Sequence, residues 1–335
     1  MSTRLIIDTD TAQDDAFALL LALRTPGVRL EAITVAAGNV PFEQQLENAL
    51  YTVEVAGRSG DVPVHPGARQ PLLRPWVGAQ EVHGADGMGD ADFPRARQRP
   101  ESEHAVDAMV RHVMASPGQI AIVAQAPLTN LALAVRREPR LPRATRHLYV
   151  MGGTNNGIGN ITPAAEYNFY VDPEAAAIVL DAGFELTLVD WNLTLDQGLF
   201  DLAQLREIAD LGTPLSEFFV RTNASALEFC RRQGIPGSTH PDSLTCAIAI
   251  DPSLVRRSRM VRVDVETQGA LTRGYSSVDL LGVTGREPNA RLVEEVDSKR
   301  FYAMMRQVLS GDRARPPALG AQDRPPATTF RPKRV

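Results

Sequence analysis

The chain reads as an α/β protein, with a mainly parallel sheet covered by helices on both faces and extra helices in its C-terminal half. Three observations carry this expectation. Short apolar runs alternate with longer amphipathic ones as far as Val189, the order that βα units produce. Those apolar runs end at Asp, Asn, Gln or Gly rather than running on into helix. Beyond Leu199 the character becomes more helical and strand-like runs are fewer.

Taken in order, Arg4–Ile7 suits a buried strand, and Ala12–Arg24 reads as a helix stopped by Thr25-Pro26-Gly27. Strand Leu30–Ala37 ends at Gly38-Asn39 and is followed by helix Phe42–Gly57. A short strand near Val62–Val64 leads into a Gly- and Pro-rich loop from Gly67 to Pro100. Helix Ser102–Met114, strand Gln119–Gln125, helix Leu128–Arg136 and strand His147–Met151 continue the alternation. After the Gly- and Asn-rich loop Gly152–Ala165 come helix Pro173–Ala182 and strand Leu186–Val189. Helices are then expected at Leu199–Asp210, Pro214–Arg232 and Asp242–Ile250, and strands at Met260–Thr267 and Arg291–Glu295. Ser298–Leu309 is the last helix. No repeat or linker divides residues 1–310, which predicts a single domain. From Gly311 to Val335 proline, arginine and small residues dominate, which predicts a disordered tail. Loops as long as 67–100 and 152–165 are usually functional or mobile.

At 335 residues, 44% hydrophobic and 22% charged, the composition is that of a soluble globular protein. The formal net charge of −5 gives no reason to expect nucleic acid as a partner. Cys230 and Cys246 are the only cysteines and sit in helix-like surroundings, as buried thiols of a reducing compartment do. No signal peptide and no run of membrane-spanning length is visible, so a cytoplasmic location is expected.

The densest chemistry lies at the first strand's end, where Asp8, Asp10, Asp14 and Asp15 fall within eight residues. Such a cluster is tolerable with a cation among the carboxylates, with some of them protonated, or with a helix N-terminus and water to neutralise them. Asp8 and Asp10 face the same side of an extended segment, and Asp14 and Asp15 fall in the first helical turn. In a parallel sheet, ligands bind beyond the carboxyl ends of the strands. Those positions hold Asp8 and Asp10, Asn39, Gln125-Ala126-Pro127 and Met151-Gly152-Gly153. Oxygen donors of this kind suit calcium or magnesium rather than zinc. The plainer reading has Asp14 and Asp15 capping a helix and Asp8 bonding nearby backbone, and four carboxylates together argue against it.

These residues, with others in order, resemble the nucleoside hydrolases, also called inosine–uridine hydrolases. Asp8-Thr9-Asp10-Thr11-Ala12-Gln13-Asp14-Asp15 is similar to the family's aspartate signature, with Thr-Ala where Pro-Gly is more usual. Ala37-Gly38-Asn39, His83-Gly84-Ala85-Asp86-Gly87, Ala126-Pro127-Leu128-Thr129-Asn130, Met151-Gly152-Gly153, Glu166-Tyr167-Asn168 and Asp172-Pro173-Glu174-Ala175 continue the resemblance, and Asp242 begins its last signature. It covers roughly residues 4–310 and implies a Rossmann-like central sheet. It also implies cleavage of the N-glycosidic bond of ribonucleosides to free nucleobase and ribose.

By the same resemblance, Asp10, Asp15, Asp242 and the main-chain carbonyl of Gln125 would bind calcium. Asp14, Asn39, Asn160, Glu166 and Asn168 would bond the ribose hydroxyls. Asn39 as a helix cap, Asn160 as a turn residue and Glu166 as a solvated loop charge are the plain alternatives. The reaction passes through an oxocarbenium-like state, and Asp10 would be the base that activates a calcium-held water. The chain departs from the family pattern at Pro241, where many members carry histidine directly before the aspartate. His240 and His83 are the candidates for the acid that helps the base depart. Tyr167 and Trp191 could stack on a nucleobase, although core packing is the preferred reading of both. Family members are commonly dimers or tetramers.

Two other readings start from the same residues. Asp8-Thr9-Asp10-Thr11 after an apolar strand also resembles the first motif of haloacid-dehalogenase-type magnesium phosphatases. Those need a basic residue and a later acidic pair; Lys299 and Lys333 lie too near the C-terminus, Gly89-Asp90-Ala91-Asp92 arrives too early, and Asp14-Asp15 has no place in the scheme. A non-catalytic nucleoside- or ribose-binding protein on the same fold is the third reading.

Overall fold

The computed structural model describes residues 3–311, and the tail expected from Gly311 onward lies almost wholly outside them. Strand β1 (Thr3–Thr9) leads through a tight turn into helix α1 (Gln13–Arg24), which is buried on every side from Gln13 to Leu23. A helix that is apolar all round belongs in a core. There follow β2 (Val28–Val35), α2 (Phe42–Val55), β3 (Val64–Pro66) and the single turn α3 (Gln80–His83) within the long loop. Next come α4 (Ala105–Ala115), β4 (Ile120–Ala124), α5 (Thr129–Arg137), α6 (Leu141–Ala144) and β5 (His147–Met151). Then α7 (Tyr167–Val171), α8 (Pro173–Leu180), β6 (Leu186–Val189) and α9 (Trp191–Gln197) precede β7 (Leu199–Asp201), α10 (Leu202–Ala209), α11 (Pro214–Thr222) and α12 (Ala224–Arg232). The last elements are β8 (Gly237–Thr239), α13 (Pro241–Ile250), β9 (Val255–Val265), β10 (Ser276–Asp279), β11 (Ala290–Val296) and α14 (Ser298–Ser310).

Nine strands form one sheet in the order β10-β9-β11-β6-β5-β4-β1-β2-β3. Seven of them, from β11 to β3, run parallel, while β9 and β10 are antiparallel additions at one edge. The order reverses beside β1, so the loops after β1 and β4 leave to opposite sides and open a crevice between them. Side chains alternate across the sheet: Leu5 and Ile7 join the core under α1, α2, α13 and α14, and Ile6 joins the core under α4, α5 and α8.

Differences from the sequence reading have local causes. β3 lies two residues later than expected because it pairs with Ile33–Val35. The expected helix Leu199–Asp210 opens instead with strand β7, held by β8. One long helix over Pro214–Arg232 is two, turned at Asn223, whose side chain accepts the Ser238 hydroxyl at 2.9 Å. β9 begins earlier than expected, at Val255, because its arginines pair with the acids of β11, as Arg259 does with Glu294 at 2.5 Å.

One buried side chain ties the crevice walls together. Asn130, at the start of α5, donates to Asp8 Oδ1 at 2.8 Å and to the Val35 carbonyl at 3.1 Å, and accepts from the Ala68 N–H at 2.9 Å. Burial lifts the Asp8 carboxyl to about 7 against the bonds from Asn130 and Thr34. Asn130→Ala strands three buried polar groups and should lower the unfolding free energy by about 3–5 kcal/mol in urea titration. A loss below about 1 kcal/mol would show that the bridge does not hold the walls.

Candidate active site

The crevice at the carboxyl ends of β1, β2, β4 and β5 encloses about 880 Å³, open solvent at its mouth included. Asp14, Asn39, Gln125, Asn160, Glu166, Asn168, Asp242 and His83 line it, so the structure gathers most of the residues singled out in the sequence. Asp10 and Asp15 are fully buried just beneath.

Each is held by backbone that the fold brings to this point. Asp10 Oδ2 accepts the Asn39 N–H at 3.0 Å, and Asp10 Oδ1 is buried with no partner. Gly38 fits here because a Cβ would overlap the Asp10 carboxylate. Asp15 reaches back over the start of α1: its oxygens accept from the Ala12 N–H at 3.0 Å, the Thr9 hydroxyl at 2.7 Å, Gln125 Nε2 at 3.2 Å and Asn39 Nδ2 at 3.3 Å. Asp14 spans to a second helix, accepting the Asp242 N–H at 2.6 Å and the Ser243 hydroxyl at 2.9 Å at the start of α13. The N-termini of α1 and α13 therefore converge on the cluster, where their dipoles favour negative charge.

Glu166 is a helix cap, not a solvated loop charge. Its carboxylate accepts from the backbone of Asn168, Gly153 and Phe169 at 2.8, 2.8 and 3.2 Å. Asn168 turns its amide toward the Gln125 and Met151 carbonyls at 3.4 and 3.3 Å, and Asn160 accepts from the Tyr167 N–H at 2.8 Å.

Crowding sets the protonation of the acids. Burial, then the neighbouring Asp15 charge, holds Asp10 well above the usual carboxylate range. Burial likewise lifts Asp15 to about 6 and Glu166 to about 7. Asp242 is raised by burial and then by the charges of Asp15, Asp14 and Asp10. Among the described residues, no lysine or arginine lines the crevice. Among the described residues, no three His, Cys, Asp or Glu side chains already form a compact metal group. The donors nevertheless suit a hard divalent cation: they are all oxygen, they are electrostatically uncompensated, and Asp10 Oδ1 has no partner.

The two histidines part company. His240 is fully buried among Phe17, Phe200 and Phe219, with both ring nitrogens unpartnered, and it is Pro241 that lines the crevice. Its Nδ1 lies 3.5 Å from Asp14 Oδ1, behind the cavity wall. His83 does line the cavity, and burial pushes its imidazole down to about 4 despite the Asp14 charge. Tyr167 is buried and bonded through its hydroxyl to the Val77 carbonyl, yet it also lines the cavity, as the half-buried Trp191 does. Sequence reasoning missed Gln13, which lies on the wall bonded to His83. It also missed the apolar wall of Val82, Ala226, Phe229, Cys230 and Ile235. Only the pairing of hydrophobes with cavity-facing positions on the short helices α3 and α12 could have marked that wall.

Among the described residues, the crevice lining holds no lysine or arginine, the group that the phosphatase reading calls for. Among the described residues no helix is long and apolar enough to cross a membrane. The sequence profile described as inosine-uridine preferring nucleoside hydrolase matches residues 5–303. A pyrimidine-specific ribonucleoside hydrolase of Enterobacter sp. is 34% identical, over 92% of this chain and 98% of its own length. A solved plant nucleoside hydrolase superposes with a TM-score of 0.88 at 30% identity, covering 93% of this chain and 100% of its own. A purine-preferring ribonucleoside hydrolase from Gardnerella vaginalis gives 0.85 at 28%, covering 92% and 98%. The chain belongs to the inosine-uridine preferring nucleoside hydrolase family and is a hydrolase that splits the N-glycosidic bond of ribonucleosides into base and ribose.

Proposed function

We propose that Asp10 is the general base of this hydrolysis. In the same reading, Asp10, Asp15, Asp242 and the main-chain carbonyl of Gln125 hold a calcium ion, and Asp14, Asn39, Asn160, Glu166 and Asn168 read the ribose. The observation that supports it most is Asp10 Oδ1, a buried carboxylate oxygen without a partner beneath a cleft that, among the described residues, no lysine or arginine lines. Bound there, the cation would neutralise the acids and lower the pKa of a water molecule.

The protein groups divide the remaining work. Asp10 Oδ2 is fixed by the Asn39 N–H, so its carboxylate cannot rotate freely and Oδ1 stays free to accept the proton of the attacking water. Positive charge then develops on the sugar ring, and the surrounding carboxylates of Asp14, Asp242 and Glu166 favour it electrostatically. Asp14 is held by α13 and Glu166 by three backbone N–H groups, so neither needs to reorganise as charge moves. Glu166 Oε1 and the two Asp14 oxygens each accept one such bond, which leaves a second lone pair for a ribose hydroxyl, whereas Glu166 Oε2 is used by the Gly153 and Phe169 N–H groups. A cytoplasmic dimer or tetramer belongs to the same reading, supported by the exposed Leu280, Leu281 and Val283 on the turn after β10.

Asp10→Ala should lower kcat for ribose release from a panel of ribonucleosides by about 10²–10⁴-fold while circular dichroism stays native. Unchanged turnover would falsify the base assignment. Adding calcium to chelator-treated protein at 100 times its dissociation constant should stabilise the fold by about 2.7 kcal/mol, read as a rise in Tm. No shift with calcium, and no calcium retained in elemental analysis, would remove the cation from the scheme.

A further inference from the structure

We propose that Gln13 is a positioning residue that fixes the tautomer of His83, making His83 a hydrogen-bond acceptor toward the substrate instead of a proton donor to the departing base. The proposal rests on the crevice being the nucleoside site. Gln13 is the first residue of α1, buried, with its side chain on the cavity wall. Its Oε1 faces His83 Nδ1 at 2.5 Å. An amide oxygen only accepts, so the ring proton belongs on Nδ1. Burial keeps His83 neutral at neutral pH, which leaves one ring proton to place, and Nε2 is then bare.

Among the described residues, Nε2 has no hydrogen-bond partner, and it is not among the sealed-off polar atoms, unlike both nitrogens of His240. His83 therefore offers the cavity a lone pair. The substrate group that satisfies it is a donor: a sugar hydroxyl or an N–H of the base. α3, which carries His83, is a single turn in the long loop, and Gln13 anchors it to the rigid start of α1. This is how an outer residue commonly sets the ring orientation and tautomer of a functional histidine.

Long-range ¹H–¹⁵N spectra of protein labelled at its six histidines, with His83 assigned through His83→Gln, read the tautomer directly. Wild type should show protonated Nδ1 and bare Nε2 at neutral pH, and Gln13→Met should move the proton toward Nε2. In kinetics Gln13→Met should raise KM by about 5- to 10-fold with kcat within about twofold, because an acceptor bond is made equally in the ground and transition states. That KM penalty should vanish for whichever analogue lacks the donor, the 5′-deoxynucleoside if the donor is the hydroxyl or the base-N-methylated nucleoside if it is the base. An Nε2–H tautomer in wild type, or a fall in kcat at constant KM, overturns the proposal. The tautomer is read without substrate, so a protein that releases no ribose would refute the site reading and leave the Gln13–His83 result standing.

Discussion

The site is arranged around the cost of keeping several carboxylates out of water with, among the described residues, no lysine or arginine lining the cleft beside them. Isolated, such a cluster would unfold its surroundings or take up protons. Here the end of β1 delivers Asp10 to a point where two helix N-termini converge, and Asp14 joins them across 228 residues of sequence. The backbone N–H groups of Ala12, Asn39 and Asp242 supply what lysine or arginine would supply elsewhere. Backbone donors differ from a basic residue in one decisive way. They orient the carboxylates and carry no net charge, so the site keeps its negative potential for a cation and for a positively charged transition state.

The sheet order follows from the same need. β1 is central, with β2 on one side and β4 on the other, so Asn39 and Gln125 approach the aspartates from opposite flanks. Asp8, two residues before Asp10, is held by Thr34 and Asn130 and serves as a strut between strands. Two acids in one motif thus have separate fates, set by which neighbours the strand register supplies.

This explains what could be read in advance. β5 and β6 fall at the expected residues because their buried aliphatic runs are bounded by sharp breakers. The aspartate signature was legible because it is a local pattern at one strand end. α7, α9, β7 and β8 were not legible: each is short, and each is stabilised by a partner far away in sequence, as β7 is by β8. His240 and Pro241 illustrate the same limit within the site. Sequence adjacency to Asp242 suggested that His240 reaches the base, but the first turn of α13 presents Pro241 to the cavity and turns His240 into an aromatic cage. Gln13 is the converse case, a residue with no catalytic signature in sequence that the helix start places against His83.

The two halves of the cleft are built from different material, and that has a consequence for specificity. The half that would hold the sugar in the proposed reading consists of strand ends and helix starts, held by backbone bonds in the middle of the sheet. The half that would face the base consists of α3, α12 and the loop of Ile161, with the apolar side chains of Val82, Phe229 and Ile235. Apolar walls discriminate weakly, by shape alone, whereas a single fixed donor or acceptor discriminates strongly. In the proposed reading, base choice falls to the few polar groups on that side of the cleft. His83 is one of them, and on the proposal above its hydrogen bond to Gln13 on the cavity wall would decide whether it donates to the substrate or accepts from it.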